Sequence, residues 1–446
     1  MGKHLVVLGA GESGTGAAIL AARQGYRVFV SDNGSIREKY RNVLKHHGIT
    51  WEEGGHTPGK ILAADEVVKS PGIPDSAPIV RALHGIRVPV ISEIEFAGRH
   101  TTAKTICITG TNGKTTTTLL TGHILSKAGL NAAVAGNVGN SFAWKVATEA
   151  HDIYVLEISS FQLDGMFDFR ADISVLLNIT PDHLDSYGNQ FDNYVRSKMR
   201  ILRNQRPEDH CIYCLDDPTL RKRLKEIKNG PGLLPFSIME KPQEGAWLEH
   251  ETNMKFFIKS EEFEMDTSEL SIVGKHNVYN SMASGIAARL LDLRKDVIKE
   301  SLSDFQNAAH RLEEVARVRG ITFINDSKAT NINAAWFALE TMNRPVVWIV
   351  GGQDKGNDYT LIHELVKKKV KAIVCLGKDN RRIINSFQDL SLPMIETGSA
   401  AEAVKAAYLF GDPGDVVLLS PACASFDLFE NFEDRGEQFK QAVYDL

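Results

Sequence analysis

Residues 105–118 read TICITGTNGKTTTT, a strand-like run that delivers glycine, lysine and threonine at phosphate-handling spacing. Gly110 and Gly113 let backbone N–H groups approach phosphate oxygens, and a helix starting there adds the positive end of its dipole. Lys114 would reach the outer phosphates of a nucleoside triphosphate, and Thr115 would offer its hydroxyl to Mg²⁺. Thr111, Asn112 and Thr116 complete the loop. The spacing is G-x-x-G-K-T-T, shorter than the general phosphate loop, whose first glycine would fall where Ile108 stands. A second pattern, Gly9-x-Gly11-x-x-Gly14, follows LVVLG, and Asp32 closes the next strand-like run where a ribose-binding acid would stand. Taken alone, that pattern reads as an NAD or FAD site. An oxidoreductase is therefore the rival reading, separable by the absorbance of the purified protein and a hydride-transfer assay.

Further polar groups stand where buried runs end. Glu157 closes IYVLE, and a carboxylate at a strand end beside a phosphate loop is a usual metal ligand, though also an ordinary exposed acid. NITPDHLDSYG places Asp182, His183 and Asp185 on a loop after another strand-like run. Lys198, within FDNYVRSKMRIL, reads from spacing alone as a solvated helix lysine. Nearer the C-terminus, ITFINDSKATN, GGQDKGND and LLSPACASFDLFENFEDRG put three polar loops after three apolar runs. Loops at the carboxyl ends of parallel strands converge on one crevice, although Ser, Thr and Asn are also plain caps and turns.

The apolar runs are β-branched and Leu-rich without alternation, as in LVVLG, RVFVSD, ISVLLNIT, VVWIVGG, AIVCLG and DVVLLS. That is the pattern of parallel strands buried on both faces, with helices between them, in an α/β fold. The 446 residues divide into a Rossmann-like unit at 1–98, a central phosphate-loop unit at 99–305 and a Rossmann-like unit at 306–446. Polar alternation within about 205–270 predicts an antiparallel flap, and linkers near 99 and 305 are the expected hinges. A net charge of −5 argues against broad nucleic-acid binding. The five cysteines fit a reducing compartment, and the lone C-x-x-C at Cys211 and Cys214 has no second pair at zinc spacing. No apolar run approaches ~18 residues, and MGKHLVVLGAG leaves no room for a secretory h-region, so a cytoplasmic protein without a membrane partner is expected.

Taken together, GTNGKTT, EISSFQL, NITPDHLD and the lysine after them resemble the Mur ligase family, and folylpolyglutamate synthase shares the loop and the lysine. The N-terminal unit argues against the latter, which lacks a UDP-binding unit. The resemblance implies an ATP-dependent amide ligase with two Mg²⁺ ions, acting as a monomer. By it, Thr115, Glu157, His183 and a carbamylated Lys198 form the metal site; Lys114, His183, Lys198 and Lys328 serve catalysis. Asn277, Arg311 and Asp326 would join the phosphate loop around ATP. Glu12, Ser13, Asp32, Asn33, Ser70, Asn137, Ser159 and Gln162 would hold a UDP-linked substrate. DSKATN with SPACASFD resembles the form of the family member that adds D-glutamate to UDP-N-acetylmuramoyl-L-alanine, which implies Thr330, Lys355, Ser425 and Phe432 as contacts of the amino acid. A nucleotide-binding module without activity would show no amino-acid-dependent phosphate release.

Overall fold

A computed structural model describes residues 2–306, 309–354 and 356–446. Among the described residues, three sheets carry the chain, with helices between their strands. The first sheet is fully parallel, in the order Thr50–Glu52, Arg27–Ser31, His4–Leu8, Glu66–Lys69, Val90–Ile91. Its order reverses between His4–Leu8 and Glu66–Lys69, and a crevice opens where the loops after two such strands part.

The second sheet runs Glu261–Asp266, Asn253–Ile258, Gly245–Glu249, Gly232–Ser237, His210–Cys214, Ile173–Leu176, Lys104–Thr109, Ile153–Glu157, Ala132–Gly136. Only the pairings among Gly245–Glu249, Asn253–Ile258 and Glu261–Asp266 are antiparallel. The flap is thus narrower than the expected 205–270, because His210–Cys214 and Gly232–Ser237 continue the parallel sheet. The run ISVLLNIT stops being strand at Leu176, and its last four residues form a loop that turns back over the phosphate loop. All five cysteines are free and buried, and burial pushes the thiols of Cys211 and Cys214 up to about 12, so they behave as apolar packing rather than as a redox pair.

The third sheet runs Glu313–Val318, Ile321–Asn325, Val416–Leu419, Val346–Val350, Val370–Leu376, Met394–Thr397, parallel except for its first strand. Apolar side chains cover both faces: Trp348, Val350, Ile373 and Leu418 on one, Phe323, Val347, Val374 and Phe439 on the other. The chain forms two compact units: residues 1–271 with 278–305, and residues 306–446 with 272–277.

The first two sheets share one unit, and buried hydrogen bonds tie their junction near residue 99. Glu95, fully buried, accepts backbone N–H bonds from Phe167, Asp168 and Phe169 at 2.9, 3.1 and 2.9 Å on one oxygen and pairs with Arg99 on the other. Two residues earlier, Glu93 accepts the Ala143 N–H at the start of the helix Phe142–Thr148. Burial pushes the Glu93 carboxyl up to about 7, against the hydrogen bonds from Ala143 and Ser141. That helix lies tightly against Glu12–Arg23, where a Cβ on Gly16 would stand 2.1 Å from Ser141 Oγ.

Candidate active site

The phosphate loop leaves the end of Lys104–Thr109 and opens the helix Lys114–Lys127. Gly113 caps that helix at φ 85°, a conformation that costs a side-chain-bearing residue roughly 1 kcal/mol or more. A Cβ there would also lie 2.6 Å from Asn280 Oδ1, so the position requires glycine twice over. Asn178, the first residue of NITPDHLD, laces the loop: its Oδ1 accepts the Asn112 N–H at 2.8 Å and its Nδ2 donates to the Asn112 carbonyl at 3.0 Å. Thr111 adds a bond from its hydroxyl to the Thr180 carbonyl. Lys114 folds its ammonium over the loop, donating to the Gly110 and Thr111 carbonyls at 2.8 Å each. Thr115 and Thr116 are buried behind it.

The neighbouring strands deliver the other groups. Glu157 ends Ile153–Glu157; its Oε1 accepts from Asn137 Nδ2 at 2.7 Å, while its buried Oε2 has no hydrogen-bond partner among the described residues. Lys198 is not a solvated helix lysine. It is 1% exposed, its Nζ donates to the Gly110 carbonyl at 2.8 Å, and it sits 4.8 Å from the centroid of Tyr194. Burial first, then the charge of Lys114, holds its pKa well below the lysine range, against Asp182, Asp164 and Glu157. His183 takes a left-handed backbone at φ 52°, 3.7 Å from the Asp182 carboxylate and edge-on to Phe161. No three His, Cys, Asp or Glu side chains gather as a metal cage among the described residues. The donor set fits Mg²⁺ if Lys198 becomes an anion: Glu157 offers an unused buried oxygen, and a neutral buried amine is the form that adds CO₂.

In the first sheet the glycine pattern forms a strand–turn–helix junction. A Cβ on Gly14 would lie 1.8 Å from the Gly9 carbonyl oxygen, so the helix Glu12–Arg23 can start there only without one. Asp32 accepts the Ala10 and Gly34 N–H groups at 2.6 and 2.8 Å, which shapes both turns. Ser70 touches Gly9, and Glu12 accepts the Tyr40 hydroxyl. A cavity of about 730 Å³ opens beside them, lined by Gly9, Asp32, Asn33, His56, Ile73 and Pro74 among others. Ser13 lies in the first turn of the helix. Ser159 and Gln162 form a capping box on the helix Ser160–Asp164, so both already have a local structural role.

In the second unit the three polar loops do converge. Ser420 Oγ donates to Asp326 at 2.9 Å, Ser327 Oγ donates to the Phe432 carbonyl at 2.8 Å, and Gln353 N–H donates to the Ala424 carbonyl at 2.7 Å. Arg435, 1% exposed, donates to Ser327 and to the Gly351 and Cys423 carbonyls and so joins all three loops. Burial pushes the Asp326 carboxyl up to about 7, opposed by the charge of Arg311. Lys328 lies 5.1 Å from the Phe432 ring centroid. Thr330 is exposed and Ser425 buried. Asn277 Nδ2 donates to the Val273 carbonyl at 2.8 Å. Lys355 lies outside the described residues.

Family models described as the MurD N-terminal domain, the Mur ligase middle domain and the Mur ligase glutamate ligase domain match residues 4–78, 108–288 and 310–423. A UDP-N-acetylmuramoylalanine--D-glutamate ligase of Bacteroides fragilis is 54% identical over 100% of both chains. The enzyme of the same name from Christiangramia forsetii is 52% identical, again over 100% of both. The chain belongs to the Mur ligase family. The UDP-N-acetylmuramate-alanine ligase of Thermotoga maritima shares this Mur ligase fold at a TM-score of 0.65, with 19% identity over 99% of each chain. As a Mur ligase, the protein uses its N-terminal glycine turn inside a ligase, and the oxidoreductase reading falls. Sequence reasoning missed Asn178, Glu93 and Glu95 in the first unit and Arg435 in the second, each of which ties together segments of its own unit. Asn178 lay within a motif already singled out, whereas the two glutamates look like ordinary acids in the first turn of a helix.

Proposed function

We propose that this chain joins D-glutamate to UDP-N-acetylmuramoyl-L-alanine with hydrolysis of ATP to ADP and phosphate. Full-length identity of 54% to a ligase of that name carries the reading. The L-alanyl carboxylate attacks the γ-phosphorus, ADP leaves, and an acyl-phosphate forms. The D-glutamate amine then attacks the acyl carbon, loses a proton, and phosphate leaves as the amide forms. Lys114 neutralises the transferring phosphoryl group, and the loop amides of Gly110–Thr116 cradle the phosphates. The Gly9–Gly14 turn with Glu12, Ser13, Asp32, Asn33 and Ser70 holds the uridine diphosphate, while Asn137, Ser159 and Gln162 face the sugar end.

Thr115, Glu157, His183 and carbamylated Lys198 would hold two Mg²⁺ ions, which when bound spread the negative charge of phosphoryl transfer. By the family resemblance, Asn277, Arg311 and Asp326 serve ATP, Lys328 serves phosphate chemistry, and Thr330, Lys355, Ser425 and Phe432 select D-glutamate. In this reading the enzyme is a cytoplasmic monomer without nucleic-acid or membrane partners; no helix among the described residues is long and apolar enough to cross a membrane. Phosphate release with ATP, Mg²⁺ and UDP-N-acetylmuramoyl-L-alanine should depend on D-glutamate. Equal rates with L-glutamate, or none with D-glutamate, would overturn the assignment.

A further inference from the structure

The crevice of the first sheet contains an imidazole held by a hydrogen bond to a buried serine. His56 lines the cavity, and its Nδ1 lies 2.7 Å from the hydroxyl of Ser31, which is fully buried at the end of Arg27–Ser31. That hydroxyl has a second partner, Glu52 Oε1, also at 2.7 Å. A serine has one proton to give. Although burial alone would raise it, the Glu52 carboxyl is held at about 2 by hydrogen bonds from Thr57 and Ser31 and by the charge of Lys60. It is an ionised, acceptor-only group and takes the serine proton. Ser31 Oγ must therefore accept, and Nδ1–H of His56 must donate. In the neutral imidazole the other ring nitrogen, Nε2, is then an acceptor, and His56 lines the cavity.

A bare acceptor selects among nucleobases. Uracil carries one N–H donor on its pairing edge, at N3, between two carbonyl acceptors. Cytosine has an acceptor at N3, which would face Nε2 lone pair to lone pair. The apolar wall of Ile73 and Pro74 suits the face of a flat ring in the same cavity. We propose that His56 is a specificity-determining residue that accepts the uracil N3–H of the substrate, with Ser31 and Glu52 as positioning residues that fix its tautomer. This rests on the reading of the crevice as the UDP site.

The test measures binding of UDP and CDP to the whole enzyme by calorimetry, beside the ligase assay. The wild type should prefer UDP by roughly tenfold or more, the worth of one well-placed hydrogen bond against an unpaired acceptor. His56→Leu should bring the ratio close to one by weakening UDP, and should raise KM for the uridine substrate without moving KM for ATP. Ser31→Ala keeps the imidazole but frees its tautomer, and should lose part of the preference. An unchanged UDP-to-CDP ratio in folded His56→Leu, or no preference in the wild type, overturns the proposal. Should His56→Leu fail to fold, an unchanged ratio in Ser31→Ala overturns it. Failure of the ligase reading looks different: no D-glutamate-dependent phosphate release in the wild type, whatever the base preference.

Discussion

Replacing Glu95 tests whether the first two sheets act as one body. Its carboxylate is fully buried and takes three backbone N–H bonds from residues 167–169 on one oxygen, with Arg99 on the other. Hydrogen bonds to a charged group contribute about 1.5–3 kcal/mol each, but three donors sharing one oxygen do not add, and water can enter beside half-exposed Arg99. Glu95→Ala should therefore cost about 3–5 kcal/mol. At about 2–4 °C per kcal/mol for a domain of this class, Tm should fall by roughly 6–20 °C. Glu95→Gln, which keeps the shape and one acceptor oxygen, should cost about half as much. Unfolding of a chain with two units need not be two-state, so amide hydrogen exchange supplies the local reading. The Phe167, Asp168 and Phe169 amides should exchange much faster in Glu95→Ala. A loss below about 1 kcal/mol, with those amides unchanged, would refute the clamp and restore a hinge near residue 99.

Lys198→Ala should lose at least about a hundredfold in kcat and regain part of it with added formate or acetate, and ¹³C-bicarbonate should give a carbamate resonance in the wild type only; full activity without rescue would remove Lys198 from the site. The Asp326 carboxyl is raised from 3.8 to about 7, so its protonated form favours the fold, and that contribution, complete below pH 3.8, is lost as pH rises towards 7. Asp326→Asn should therefore melt higher than the wild type at pH 8 and not at pH 4, by up to ~4 kcal/mol, and identical pH profiles would sink the argument. Gly14→Ala must displace the start of the helix Glu12–Arg23 from the Gly9 carbonyl, at a cost of about 1–3 kcal/mol and a raised KM for the UDP substrate; wild-type stability and KM would contradict it.

Much of the fold was legible in the sequence because parallel strands buried on both faces leave unbroken apolar runs. VVWIVGG, AIVCLG and DVVLLS all became neighbours in one sheet. The phosphate loop and the Gly9–Gly14 turn were legible because their backbone geometry admits almost no residue but glycine. The flap was drawn too wide, because polar alternation at a sheet edge does not say which strand pairs parallel. Lys198 shows the opposite limit. Helical spacing placed it, but its burial depends on Tyr194 beneath it and the Gly110 carbonyl opposite, a contact 88 residues away in sequence. Only the resemblance to a family separated it from a surface lysine. Glu93, Glu95 and His56 left no such trace, since apart from Arg99 beside Glu95 their partners are backbone groups or a serine far along the chain.

The Gly9–Gly14 turn opens the helix Glu12–Arg23, which packs without a gap on Phe142–Thr148 through Gly16 and Ser141. Just before that helix, Asn137 grips Glu157 by side chain and backbone, at 2.7 and 2.9 Å, beside the strand that delivers the phosphate loop. Glu93 ties the same helix to the end of the first sheet. The turn proposed for the UDP and the loop proposed for ATP are therefore linked by an unbroken path of tight contacts within one compact unit. A carboxylate and a γ-phosphate held on such a body meet without further loss of translational freedom, an advantage of roughly 7–11 kcal/mol at best over free encounter. The clamp at Glu95 and the packing at Gly16 thus bear on the rate of acyl-phosphate formation, although neither residue lies in the phosphate loop or lines the crevice.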